Sequence, residues 1–155
     1  MSLLKGNPQA PRAWHGELPI VSRYTAGLGG ERFFRALKDE GKLLGSRCET
    51  CDISYLPGRQ FCERCLEELT EWFDAGLRGE VHTFTLLHLN LDGSEKEAPD
   101  LVAFIRFGDG GIVHRLGEIE PEEIEIGMVV VAKLKPKTKR EGSILDIEYF
   151  KPVAK

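Results

Sequence analysis

Outside one short stretch the sequence has no cysteine: all four lie between Cys48 and Cys65. That distribution excludes a disulfide framework spread across the chain, the usual staple of small secreted domains. No run approaches the ~18–20 apolar residues of a membrane-crossing helix, which excludes that class as well. The opening MSLLKGNPQAPRAWHGE lacks the basic-then-apolar order of a secretory signal and is interrupted by Pro8 and Pro11. A reducing, cytoplasmic location is therefore expected, where cysteines more often bind metal than pair. Positive charge is also short, with 21 Lys and Arg against 25 Asp and Glu and a net charge of −4. Four thiolates on one divalent metal would bring the total to about −6. A general polyanion binder needs the opposite balance, so any phosphate contact must come from a local patch. A glycine-rich phosphate loop, a nucleophile elbow and a paired-carboxylate motif are all missing.

What is present is ordinary composition around one unusual cluster. The hydrophobic (41%) and charged (30%) fractions of the 155 residues are those of a soluble globular protein of one large domain or two small ones. The stretch CETCDISYLPGRQFCERC carries two C-x2-C pairs, Cys48/Cys51 and Cys62/Cys65. Each pair forms a tight knuckle that turns two sulfurs toward one point, and two knuckles supply the four ligands of a closed tetrahedral site. Between about 42 and 68 the apolar residues are only Leu43, Leu44, Ile53, Leu56, Phe61 and Leu66. So small a unit does not bury enough surface to fold alone. A structural zinc, worth an apparent ~10–16 kcal/mol in small modules, closes that gap. The spacing favours a zinc ribbon. Iron uses the same four ligands and stays open, whereas a thioredoxin-type pair accounts for one C-x2-C and not two. With all four thiols on a metal, none is left as a nucleophile.

The flanks organise around this cluster. The first 25 or so residues, with Pro8, Pro11 and Pro19, read as an extended arm. In GGERFFRALKDEGKLL, Phe33, Phe34, Ala36 and Leu37 share one side at helical spacing, and Gly41 is placed to end a helix of about ten residues. After the ribbon the pattern turns to period two. Strands are expected at 80–89, 100–107, 111–116, 127–135 and 143–150. LTEWFD at 69–74 is a short piece pairing with or leading into the first. Gly108–Gly111 is a hairpin signal, 89–99 a longer loop, and 118–127 a polar excursion with one helical turn. Inward positions on one alternation would be Leu101, Ala103, Ile105 and Phe107, or Val130, Ala132 and Leu134. The fold class is mainly β: an N-terminal helix, a rubredoxin-like zinc ribbon, then a five-stranded Greek-key barrel of OB type, with an SH3-like barrel as the structural rival. The expected divisions are 1–41 for arm and helix, 42–68 for the ribbon and 69–155 for the barrel.

The segments FFRALKDEGKLLGSRCETC, LPGRQFCERC, GLRGEVHTFTLLH, APDLVAFIRF and EIGMVVVAKL, in that order, resemble a known family over roughly residues 30 to 151. It is the family of rubredoxin-like zinc-ribbon plus OB-fold proteins associated with acyl-CoA metabolism. The resemblance implies a non-catalytic companion subunit. Members occur with thiolases, hydroxymethylglutaryl-CoA synthase and thiolase-fold aldolases, where they hold the complex and contact CoA or acyl-CoA. Cys48, Cys51, Cys62 and Cys65 match the family's ligand positions. The family usually has glycine after the second cysteine and proline after the third, where this chain has Asp52 and Glu63.

Against that expectation, KLKPKTKR is the most uneven feature of the barrel. Lys133, Lys135, Lys137 and Lys139 recur every second residue, so an extended strand would point them to one side, with Arg140 beside them. Such a ridge could attract the phosphates of CoA as point charges. It is also what an edge strand carries to stop other chains pairing with it, and Pro136 suits that role. His82, His88 and His114 read as barrel-surface residues, and Trp72 and Phe73 as a seal between ribbon and barrel. A nucleic-acid-binding role is the alternative function. The lysines favour it, while the acidic balance and the shortage of stacking aromatics oppose it.

Overall fold

The computed structural model describes residues 25–90 and 92–153; the expected N-terminal arm lies outside them. Helix α1 spans Gly27–Asp39 and buries Gly29, Phe33, Ala36 and Leu37, one stripe at helical spacing. It ends where glycine at C′ permits: Gly41 takes a φ of 71°, and the N–H groups of Gly41 and Lys42 return to the carbonyls of Leu37 and Ala36.

Three short strands follow: β1 (Leu44–Cys48), β2 (Ile53–Tyr55) and β3 (Glu71–Asp74), in a sheet of order β2-β1-β3. The LTEWFD piece therefore does not pair with the barrel. Its strand runs antiparallel to β1, with Leu44 opposite Asp74 and Ser46 opposite Trp72. Two glycines make this approach possible, since a Cβ on Gly45 would meet the Phe73 ring at 2.5 Å and one on Gly58 the Trp72 ring at 2.5 Å. Trp72 also lies under the Arg32 guanidinium, 5.0 Å from the ring centre, so it seals the seam between α1 and the ribbon loops rather than the barrel junction.

The second sheet holds β4 (Arg78–Leu89), β5 (Glu95–Phe107), β6 (Gly110–Arg115), β7 (Val129–Leu134) and β8 (Ile147–Pro152), all antiparallel in the order β6-β5-β4-β7-β8. Its two edges meet through a parallel bridge between Leu116 and Phe150 and a 2.9 Å bond from Gly117 N to the Phe150 carbonyl. That order and that closure are those of the OB barrel. Val81, Ala103, Ile105, Ile112, Val130, Ala132, Ile147 and Phe150 fill it, with Leu101, Phe107 and Leu134 partly buried against them. The two inward alternations read from the sequence are thus the ones the barrel buries. The expected loop 89–99 is shorter, because β5 starts at Glu95 and extends the hairpin. The polar excursion contains its single turn, a 3-10 helix at Pro121–Glu123.

The last expected strand loses its start to a 3-10 turn at Ile144–Asp146. Its cause is Asp146, fully buried, whose carboxylate accepts the N–H groups of Glu141, Gly142 and Ser143 at 2.8–3.2 Å. Burial opposes the charge, but these three donors outweigh it and hold the carboxyl below its ordinary range.

Candidate metal centre

Cys48 is the last residue of β1, so the sheet itself aims the first sulfur, and Cys51 follows on the turn into β2. Cys62 and Cys65 sit on a second turn whose arms are joined by the Phe61–Glu68 bridge and by Cys62 N to the Glu67 carbonyl at 2.9 Å. Both turns need left-handed backbone at the residue after the second cysteine, with Asp52 at φ 51° and Leu66 at φ 62°. Ion pairs Arg47–Asp52 and Arg59–Glu63, each at 2.6 Å, brace the two knuckles. Thr50 donates to the Glu67 carboxylate at 2.6 Å and ties one knuckle to the other.

The four Sγ atoms lie within 4.8 Å of one another, and Cys48 and Cys65 are 3.6 Å apart. A tetrahedron with Zn–S bonds of about 2.3 Å has edges of about 3.8 Å, so the donors stand within about 1 Å of the spacing the ion needs. Cys48 and Cys62 are buried, Cys51 half-buried and Cys65 exposed.

Backbone donors are already turned toward sulfur: Cys51 N lies 3.4 Å from Cys48 Sγ, and Arg64 N 3.4 Å from Cys62 Sγ. The N–H of Cys65 and the Tyr55 hydroxyl, 3.3 Å away, bring the Cys62 thiol down to about 6. Contact with Cys65 and burial push Cys51 up to about 12, and burial raises Cys48. Uptake of a metal therefore displaces protons from these thiols, so affinity rises with pH. A bound zinc supplies a cross-link between the two knuckles, and all four donors face inward to it.

Tyr55 is the site residue that spacing did not reveal. It is buried beside Cys62, and its hydroxyl also accepts the N–H of Glu63 at 3.4 Å. Its only trace in the sequence is an aromatic residue between the two cysteine pairs.

The lysine ridge does not form as an extended ridge. β7 stops at Leu134, and Pro136 turns the chain into a 3-10 helix at Lys137–Lys139. Proline cannot donate to the ladder, so the alternation ends there. Lys133 is engaged with the Tyr149 hydroxyl at 2.6 Å and lies near Glu118 and Glu148. Arg140 folds back to donate to the Lys135 carbonyl at 2.8 Å. Lys137 and Lys139 remain exposed on the turn. Of the histidines, His82 and His88 are exposed, but β4 is irregular next to both, so their even spacing does not define a shared face. His114 is buried, edge-on to Phe150, and burial lowers its pKa.

Two knuckles offering four thiolates, set against a closed five-stranded barrel, define the class: a rubredoxin-like zinc ribbon joined to an OB-fold domain. The family model of the ChsH2 rubredoxin-like zinc ribbon domain matches residues 35–71, and that of the ChsH2 C-terminal OB-fold domain matches 72–135. The chain belongs to this ChsH2-type zinc-ribbon and OB-fold family, whose relatives carry the name DUF35. It is 33% identical to a DUF35 domain-containing scaffold protein of Methanocaldococcus jannaschii over 79% of this chain and 89% of that one. A protein of the same name from Pyrococcus furiosus is 30% identical, over 80% and 93%. Among solved structures, a DUF35-family protein of Sulfolobus solfataricus aligns with a TM-score of 0.60 at 24% identity, covering 82% of this chain and 87% of its own. The Ltp2–ChsH2(DUF35) aldolase aligns equally well, at 0.60 and 24%, over 84% and 98%. Among the described residues no helix is long and apolar enough to cross a membrane.

Proposed function

We propose that this chain is a non-catalytic scaffold subunit that assists a thiolase-like enzyme of acyl-CoA metabolism in a reducing, cytoplasmic setting and binds CoA or acyl-CoA beside it. The observation that carries the reading is the match, over about four-fifths of the chain, to relatives named scaffold proteins. The occurrence of the same fold in the Ltp2–ChsH2(DUF35) aldolase supports an enzyme as the thing scaffolded. The thiols are committed to a closed metal site, which leaves bond-making to the partner and gives this subunit binding and orientation. The candidate contacts for CoA phosphates are Lys135, Lys137, Lys139 and Arg140 around the 3-10 turn, with Lys133 before it on β7. Lys137 and Lys139 are the ones free to reach a ligand.

The test is co-purification with the protein encoded beside this one, followed by calorimetric titration of CoA into the chain alone and into the complex. A thiolase-fold partner and CoA binding by the complex are expected. Changing Lys137 and Lys139 together to glutamate should weaken CoA about tenfold or more while leaving the partner bound. Recovery of no thiolase-fold partner, with no CoA binding by either form, overturns the proposal.

A further inference from the structure

The four sulfurs of the metal centre are not equivalent. Cys48, Cys62 and the half-buried Cys51 pack with Tyr55, Leu69 and Ile53 in the small cluster at the ribbon's tip, and Cys65 stands outside it. It is the one exposed thiol of the four, in a run from Glu63 to Glu68 in which every residue is exposed. Hydrogen bonding divides them the same way. Cys62 Sγ faces the Tyr55 hydroxyl at 3.3 Å, the N–H of Arg64 at 3.4 Å and the N–H of Cys65. Cys48 Sγ faces the N–H of Cys51 at 3.4 Å. Among the described residues no N–H is turned to Cys65 Sγ, whose polar neighbours are Cys48 Sγ at 3.6 Å and the Glu67 carboxylate at 3.9 Å.

A divalent ion lowers the reactivity of the thiolates that hold it without removing their lone pairs. What reactivity is left depends on access and on the hydrogen bonds that draw charge from each sulfur. Burial covers Cys48 and Cys62 and partly covers Cys51, and N–H donors draw charge from the first two. Access and hydrogen bonding together single out Cys65. Its neighbour Cys48 is already in contact, whereas Cys62, held by its donors, is the poorer thiolate for a second step.

We propose that Cys65 is an oxidation site, at which hydrogen peroxide converts the Cys48–Cys65 pair to a disulfide and opens the metal centre. In the first step the Cys65 thiolate attacks one oxygen of the peroxide. The S–O bond forms, the O–O bond breaks, and the leaving hydroxide takes a proton to become water, which leaves a sulfenic acid on Cys65. The Cys48 thiolate then attacks that sulfur. The S–S bond forms, the S–O bond breaks, and the second hydroxide takes a proton to become water. Two thiolates, one peroxide and two protons thus give one disulfide and two waters, with two electrons passing from sulfur to oxygen. Cys51 and Cys62 alone cannot hold an ion that a closed site binds through four donors, so zinc is released. The new bond joins the two knuckles, and the tip exchanges one cross-link for another. The inference goes beyond the scaffold role and depends on neither a partner enzyme nor CoA.

The test treats the zinc-loaded full chain with hydrogen peroxide, follows metal release with a colorimetric zinc chelator and maps the sulfur products by peptide mass spectrometry. Dimedone, added early, should trap the sulfenic acid on Cys65. The final product should carry a Cys48–Cys65 disulfide, with one zinc released for each, and dithiothreitol should restore zinc binding. Cys65→His keeps four ligands in a three-cysteine, one-histidine site, and should release zinc about tenfold or more slowly than wild type. Wild-type chain that keeps its zinc in excess peroxide, a first adduct on another cysteine, or a disulfide within one knuckle would each overturn the proposal. So would a zinc-loaded Cys65→His that releases metal as fast as wild type. Mapping on the wild-type chain keeps the test decisive even where that variant does not take up zinc.

Discussion

Leu66 occupies a left-handed backbone position, with φ at 62°, and its side chain is 76% exposed. A β-carbon there costs roughly 1–2 kcal/mol, and an exposed leucine recovers little of it by burial. Asp52 fills the equivalent place in the first knuckle with a residue type that tolerates such backbone better. Leu66→Gly should therefore raise the melting temperature of the zinc-loaded protein by a few degrees, as about 1 kcal/mol does in a chain of this size. A calorimetric scan that shows no gain, or a loss, would mean that the leucine side chain has a packing role that its exposure denies. At this scale the sequence was an uneven guide. The four ligands were legible because their spacing is local and the chemistry of a tetrathiolate site admits few alternatives. Tyr55 and Asp146 were not, because what each does is set by donors and acceptors that only the folded turns bring near. The Tyr55 hydroxyl meets a sulfur seven residues away, and the Asp146 carboxylate collects N–H groups from its own preceding loop.

Among the elements, α1 and the five barrel strands could be read from periodicity, and the failures have physical reasons. β3 reads from sequence as part of the barrel because its partner, β1, lies across the whole ribbon, and no local pattern records a pairing over that distance. The lysine strand failed because alternation in sequence implies alternation in space only while the ladder lasts, and Pro136 ends it. The turn between β5 and β6 was legible as a hairpin, but not as the element that docks the ribbon on the barrel. Asp109 accepts the N–H of Ser54 at 3.1 Å, Gly111 N donates to the Leu56 carbonyl at 3.1 Å, and a Cβ on Gly110 would come within 2.3 Å of Leu56 N. Gly110→Ala should thus push the ribbon off the hairpin and cost about 1–3 kcal/mol, the range for overpacking a close contact. Gly93→Ala gives the comparison. Its φ of 84° makes alanine strained, but nothing lies within 4 Å, so its cost is local and leaves the docking bonds intact. Equal loss of Ser54 and Gly111 amide protection in both variants would show that the hairpin does not hold the two sheets together.

For the molecule as a whole, the packing divides unevenly. The larger cluster joins the barrel to Phe33 and Leu37 of α1 and to Leu43 and Leu56 of the ribbon's base, whereas the ribbon's tip has only Cys48, Tyr55, Cys62 and Leu69, with Cys51 and Ile53 against them. The base of the ribbon is thus held by the barrel, and its tip by the metal. Removing zinc takes away the one interaction large enough to order the tip, worth an apparent ~10–16 kcal/mol in small modules, and leaves the barrel cluster untouched. Chelation should consequently abolish amide exchange protection through the tip, at 48–53 and 60–69, while Val81, Ile105, Val130 and Phe150 stay protected. Acidification should do the same in the presence of zinc, because protons compete for Cys48 and Cys51, whose free thiols hold them above the ordinary range. A single transition that takes the barrel down with the ribbon would contradict this division, and so would a tip that keeps its protection without metal. The division matters for the scaffold role proposed above, since a ribbon tip set by metal and a barrel set by its own core would let one end be lost without releasing whatever the other end holds.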